Sequence, residues 1–203
     1  MTEDVQENLA KVIFLGETGV GKTNLIKVSV GQEFDPAKLT TNTFSFLEKK
    51  FTYLEKEYIF SLWDTIGQER YRALAKSFFK DAQIAIFVYD ITDRKSFEEL
   101  NYWINEVDKE LGKDYIKGIV GNKKDLFMKE EVSEEEGMEY AKEKNAKFKL
   151  TSAKKSPLGI IEFIEMLFVD YICKKENIVV NKRKTIALKK SEMMKKTKKG
   201  RFC

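Results

Sequence analysis

The segment Gly16 to Thr23 reads GETGVGKT, and the spacing G-x-x-x-x-G-K-S/T suits a backbone that cradles an anion. Glycines allow the chain to turn tightly enough to aim successive N–H groups at phosphate oxygens. Gly16, Gly19 and Gly21 supply that freedom, and the amides of Val20 and Asn24 belong to the same cradle. Lys22 is placed to neutralise β- and γ-phosphate charge, and the Thr23 hydroxyl to fill one Mg²⁺ position. A glycine-rich turn that binds nothing is the alternative. Context weighs against it: Val12-Ile13-Phe14-Leu15 runs directly into the loop, and Leu25, Ile26 and Val28 follow at helical spacing. Strand, loop and helix in that order converge on one anion site at the helix N-terminus.

Phosphates alone do not choose a base. A second apolar run, Ile119-Val120-Gly121, ends in Asn122-Lys123-Lys124-Asp125. A carboxylate two residues past a lysine, at the carboxyl edge of a strand, accepts both the N1–H and the exocyclic amine of guanine. Adenine presents the opposite pattern and would leave that carboxylate unpaired. A solvated charged turn is the bland reading in so lysine-rich a chain. Further on, Phe148-Lys149-Leu150 leads into Thr151-Ser152-Ala153-Lys154, where a backbone N–H can meet guanine O6. Each short motif is weak, and the three in this order are strong.

From about Lys11 to about Ile172 the sequence resembles the Rab family, within the Ras superfamily of small GTPases. The resemblance rests on the motifs above and on Trp63-Asp64-Thr65-Ile66-Gly67-Gln68-Glu69, QERYR from Gln68, FFKDA from Phe78 and IFVYDIT from Ile86. It implies a protein that binds GTP and GDP with Mg²⁺, hydrolyses GTP slowly and acts as a switch in vesicle trafficking. By the same resemblance Lys22, Thr41 and Gln68 serve catalysis, with Gln68 orienting the attacking water and the Gly67 N–H sensing the γ-phosphate. Thr23 and Thr41 ligate Mg²⁺, with Asp64 reaching it through water; Thr40 is the fallback for Thr41. Asn122, Lys123, Asp125, Ser152, Ala153 and Lys154 hold the base. Phe34 stands where an aromatic stacks on guanine, or it merely packs. Phe46, Trp63 and Phe78 form the effector-facing trio, although aromatics beside apolar strands are also ordinary half-buried surface. Effectors, an exchange factor and an activating protein are the implied partners, with efficient turnover needing a partner's arginine finger.

Three places depart from that pattern. Asn42-Thr43 stands where an Ile-Gly pair is usual, Ile66 where alanine is usual, and the chain ends in a single Cys203. Ile66 favours a competing reading, a nucleotide-binding scaffold that does not cycle. A P-loop kinase or ATPase is the third class, disfavoured by Asn122 to Asp125.

The 203 residues contain two cysteines and no histidine. Histidine-dependent catalysis and histidine metal sites are therefore excluded, and the cysteine usage fits a reducing, cytoplasmic setting. From Asn181 to Cys203 there are ten Lys/Arg against one acid, a net of +9, so residues 1–180 carry −5 of the chain's +4. A polybasic segment ending in cysteine reads as a lipidated anchor, because one lipid chain binds weakly and lysines add attraction to anionic lipid. The expected location is peripheral, on the cytosolic face of intracellular membranes. Nucleic acid is not the expected partner, Cys203 is the lipid acceptor, and the number of lipid chains stays open. Cys173 falls on the apolar face of the last helical segment and reads as core.

These residues need a scaffold. Apolar runs at 12–15, 59–63, 84–90 and 116–121 read as buried strands, and 43–53 as a more exposed strand paired to 56–63. Helical patterns occupy about 21–30, 69–79, 95–111, 133–145 and 157–175, with Ser133 capping three acids. The expected fold is α/β, a doubly wound, mostly parallel six-stranded sheet with helices on both faces. Its ligand lies at the carboxyl ends of the strands. Residues 1–10 read as an extension, 11–176 as the GTPase domain and 177–203 as a flexible polybasic tail.

Overall fold

The alternation of strand and helix signals builds one sheet. The computed structural model describes residues 9–36, 45–65 and 78–177. The chain divides into Met1–Tyr171, which carries the sheet, and Ile172–Cys203, whose described part is the closing turn of the last helix and residues to 177. The strands are β1 (Leu9–Leu15), β2 (Ser45–Tyr53), β3 (Lys56–Asp64), β4 (Ile84–Asp90), β5 (Ile116–Asn122) and β6 (Lys147–Leu150). Their order is β2-β3-β1-β4-β5-β6. Only the β2–β3 pair is antiparallel among them. The expected mostly parallel, six-stranded architecture is present.

Strands buried on both faces need apolar side chains on both sides, which is why β4 is buried from end to end. On one face Ile13, Leu15, Phe87 and Tyr89 meet Leu100, Trp103, Ile104 and Val107. On β3, Phe60 stacks on Phe168 with ring centroids 3.5 Å apart. The helices are α1 (Lys22–Ser29), α2 (Arg94–Glu98), α3 (Leu100–Leu111), α4 (Glu134–Glu143) and α5 (Pro157–Lys175). Ser133 caps α4 as expected, its hydroxyl accepting the Glu136 N–H at 3.2 Å.

Several bounds differ from expectation. β1 begins three residues before the apolar run, since pairing with β3 from Leu9↔Ile59 carries on past it. The single helix expected over 95–111 is interrupted at Glu99. Glu99 keeps a right-handed helical backbone, and its carbonyl still accepts from Tyr102 and Trp103. No glycine or proline marks that break, so periodicity passes over it. A 3-10 helix at Lys124–Lys129 was not expected either. The segment 69–79 lies outside the described residues except Phe78 and Phe79, which are helical. No described helix is long and apolar enough to cross a membrane. Cys173 is buried.

Because β1, β3, β4, β5 and β6 run parallel, their carboxyl ends share one edge. All the base and phosphate motifs follow those ends.

Candidate nucleotide site

The loop after β1 is shaped by two glycines that tolerate nothing larger. Gly16 has φ +141°, and a Cβ there would lie 2.1 Å from the Val88 carbonyl oxygen. Any side chain would drive the loop off β4. Gly21 has φ +98° and immediately precedes α1. A Cβ there would stand 2.4 Å from Asn122 Nδ2. Asn122 needs that closeness. Its Nδ2 donates to the Val20 carbonyl at 2.8 Å and its Oδ1 accepts the Ala153 N–H at 3.2 Å. One buried amide thus ties the phosphate loop, the end of β5 and the loop after β6 together. Gly19, Gly21, Lys22, Thr23 and Asn24 line the cleft, and Val20, in the same loop, is buried.

Lys22 lies in the first turn of α1, with Nζ donating to the carbonyls of Gly16 and Glu17 at 2.8 Å each. Burial lowers its pKa to about 8, while the carboxylates of Asp64 and Glu17 pull it upward. A polyanion in the loop acts in the same direction as those carboxylates. Beside it, Thr23 Oγ1 donates to Asp64 Oδ2 at 2.6 Å, and Asp64 is buried at the end of β3. A hydroxyl and a carboxylate are hard oxygen donors of the kind Mg²⁺ takes alongside phosphates and water.

On the base side, Asp125 Oδ1 accepts the Ser152 hydroxyl at 2.5 Å, and Ser152 Oγ accepts the Lys155 N–H at 2.9 Å. Lys123 adopts a left-handed backbone, φ 66°, and its ammonium lies 2.6 Å from Asp90 Oδ2. Asp90 Oδ1 in turn accepts both the N–H and the hydroxyl of Thr92. Lys123 is thereby tied to the end of β4 while its side chain stays partly exposed. Asn122, Lys123, Asp125, Ser152, Ala153 and Lys154 all line one cleft of about 270 Å³, which Phe34 lines as well.

Residues 11–171 match the model of the Ras family. A curated relative, Ras-related protein Rab-21 of Geodia cydonium, is 44% identical over 161 residues, covering 79% of this chain and 68% of that protein. The chain belongs to the Rab branch of the Ras family. As a Rab-family GTPase it binds GTP and GDP, and its effectors and regulators are other proteins.

In this Rab-family protein the aromatic trio is contiguous. Phe46 stacks on Trp63 at 4.8 Å between centroids, and Phe78 stands 6.2 Å from the same ring. Phe46 is 48% exposed. Beneath, Lys11 Nζ lies 4.9 Å from the Trp63 ring centroid, and Trp63 Nε1 donates to Ser61 Oγ at 3.1 Å. Thr40, Thr41, Asn42, Thr43, Ile66, Gly67, Gln68 and Cys203 lie outside the described residues.

Sequence reasoning missed several cleft residues: Thr18, Asp35, Pro36, Thr65 and Leu126. Thr65 donates to the Phe14 carbonyl at 2.5 Å, fixing the exit of β3 beside the phosphate loop. Asp90 was missed as the partner of Lys123, although an acid closing the β4 run was the available signal. Asp35 carried none.

Proposed function

We propose that this GTPase is a slow, Mg²⁺-dependent switch that works on the cytosolic face of intracellular membranes in vesicle trafficking. One observation carries the reading: the anion cradle, the Thr23–Asp64 oxygen pair and the Asp125 carboxylate all converge on one strand edge. Phosphoryl transfer asks chiefly for positioning and charge neutralisation.

Lys22 and the loop amides hold the β- and γ-phosphates. Thr23 and Thr41 would hold Mg²⁺, with Asp64 assisting through water, and the ion would supply neutralisation of the charge that develops on the phosphate oxygens. Gln68 orients the attacking water, and the Gly67 amide registers the γ-phosphate. Asp125 and the Ala153 and Lys154 amides read guanine, with Phe34 closing over it. Loss of the γ-phosphate releases the segments carrying Thr41 and Gly67, a change that effectors read beside Phe46, Trp63 and Phe78. A regulator supplies the arginine that makes turnover fast. Membrane attachment belongs to the basic tail and a lipid on Cys203.

Single-turnover hydrolysis of bound GTP tests the reading. The expected result is slow, Mg²⁺-dependent release of phosphate. No hydrolysis with tight GTP binding would instead establish the non-cycling scaffold that Ile66 favours.

A further inference from the structure

After α1 the chain reverses through a glycine-capped helix end. Gly31, at φ +84°, donates to the Val28 carbonyl at 3.2 Å, and Gln32 donates to the Lys27 carbonyl at 2.9 Å. These are the two bonds of a Schellman cap, and they turn the chain back along the helix it has just left. Four residues past Gly31 the returning chain is caught a second time. Asn24 Nδ2 donates to the Asp35 carbonyl at 3.0 Å, while Asn24 Oδ1 accepts the Asp35 N–H at 2.9 Å. A side-chain amide therefore pairs with one residue's backbone as a neighbouring strand would. Asn24 is buried, and the pairing satisfies both its donor and its acceptor.

Two further constraints fall on the same residue. Asp35 Oδ2 lies 3.1 Å from Lys27 Nζ, one turn along α1 from Asn24. Pro36 follows, and the residue before a proline is restricted toward extended backbone. Between the glycine cap and this latch sits Phe34, half-buried and lining the same cleft as the guanine motifs. A side chain adjacent to a pinned backbone keeps its direction without paying to be ordered when the ligand arrives.

We propose that Asn24, through its paired hydrogen bonds to the Asp35 backbone, is a positioning residue that holds Phe34 over the base and so slows release of guanine nucleotide. The proposal rests on the reading of Phe34 as the residue that stacks on guanine. Asn24 thereby has two roles: its own amide belongs to the phosphate cradle, and its side chain reaches across to the base wall. Retention of the base and of the phosphates is then coupled through one residue of α1.

Release of radiolabelled GDP from the Mg²⁺-loaded full chain tests this with a double-mutant cycle. Losing two part-buried hydrogen bonds predicts that Asn24→Ala speeds GDP release about tenfold. Asn24→Ser, too short to make both bonds, accelerates it in the same direction and serves if the alanine variant folds poorly. Lys27→Met, which removes only a part-exposed ion pair, changes release less than about twofold. In a Phe34→Ala background the Asn24 substitution adds nothing further. An unchanged rate in Asn24→Ala, or the same acceleration with Phe34 already gone, would overturn the proposal. Wild-type release from Phe34→Ala alone would fault the stacking reading itself, and the latch with it.

Discussion

Asp125 offers the cleft a carboxylate whose orientation is already set. Ser152 donates to its Oδ1, and the Lys155 amide fixes Ser152. Guanine's N1–H and amine both donate, so a fixed double acceptor selects it. Asp125→Asn replaces one acceptor with a donor, which turns the match toward xanthosine nucleotides. The expected outcome is on the order of 10²-fold weaker GTP binding with a gain in xanthosine triphosphate binding, read by competition against bound GDP. On the proposed mechanism, Ile66 bears on rate instead. Alanine leaves room for the Gly67 amide and for Gln68, whereas isoleucine adds bulk and a β-branch that stiffens the local chain. Small displacements at a reacting centre are costly, so Ile66→Ala should raise single-turnover hydrolysis about tenfold with GDP affinity unchanged. An equal or lower rate in the alanine variant would refute the steric argument.

Among the elements, the β2–β3 hairpin carries visible strain. Tyr53 pairs with Lys56, and the two-residue turn between them places Leu54 at φ 49° and Glu55 at φ 64°. Both are left-handed without being glycine, and Leu54 is 61% exposed, so it contributes little to the core. Asn-Gly suits that turn. Leu54→Asn with Glu55→Gly should stabilise the GDP-loaded protein by about 1–2 kcal/mol in urea unfolding. A loss of stability would show that Leu54 or Glu55 has a role of its own.

Across α2 and α4, Arg94 donates to both carboxylate oxygens of Glu136 at 2.7 and 2.8 Å. That hydrogen bonding, foremost, lowers the Glu136 pKa from its ordinary 4.5. A lowered carboxylate pKa gives stability that is full above the unfolded value and lost as pH falls through the folded one. Glu136→Gln should therefore lower the melting temperature slightly at neutral pH, with the difference from wild type vanishing on the acid side, so that the acid limb of the profile flattens.

The elements were largely legible because burial on both faces writes unbroken apolar runs, and helices write a 3.6 period. Side-chain contacts between elements were not legible. Nothing local in Asn24 announces Asp35, nor in Asn122 the Val20 carbonyl 102 residues away. The glycines, Lys22 and Asp125 were readable because their chemistry is set by local spacing. Asp90 and Thr65 acquire meaning only from the parallel register that brings strand ends together, and the Asn24 latch only from the chain reversal after α1.

Taken whole, the molecule separates its charges: −5 over residues 1–180 and +9 from Asn181 onward. A basic segment alone gives weak attraction to anionic lipid, screened over about 8 Å at physiological ionic strength. Cys203→Ser should abolish lipid attachment and leave only salt-sensitive adsorption to anionic vesicles. Intact-mass analysis of protein from its native cell checks the premise, and an unmodified terminus would contradict it.

The central claim is that one cleft joins a phosphate cradle to a guanine-selective carboxylate. Competition of GTP and ATP against bound GDP, with Mg²⁺ present, tests it most directly. The account predicts that GTP displaces GDP and that ATP does not at any comparable concentration; equal displacement by both would contradict it.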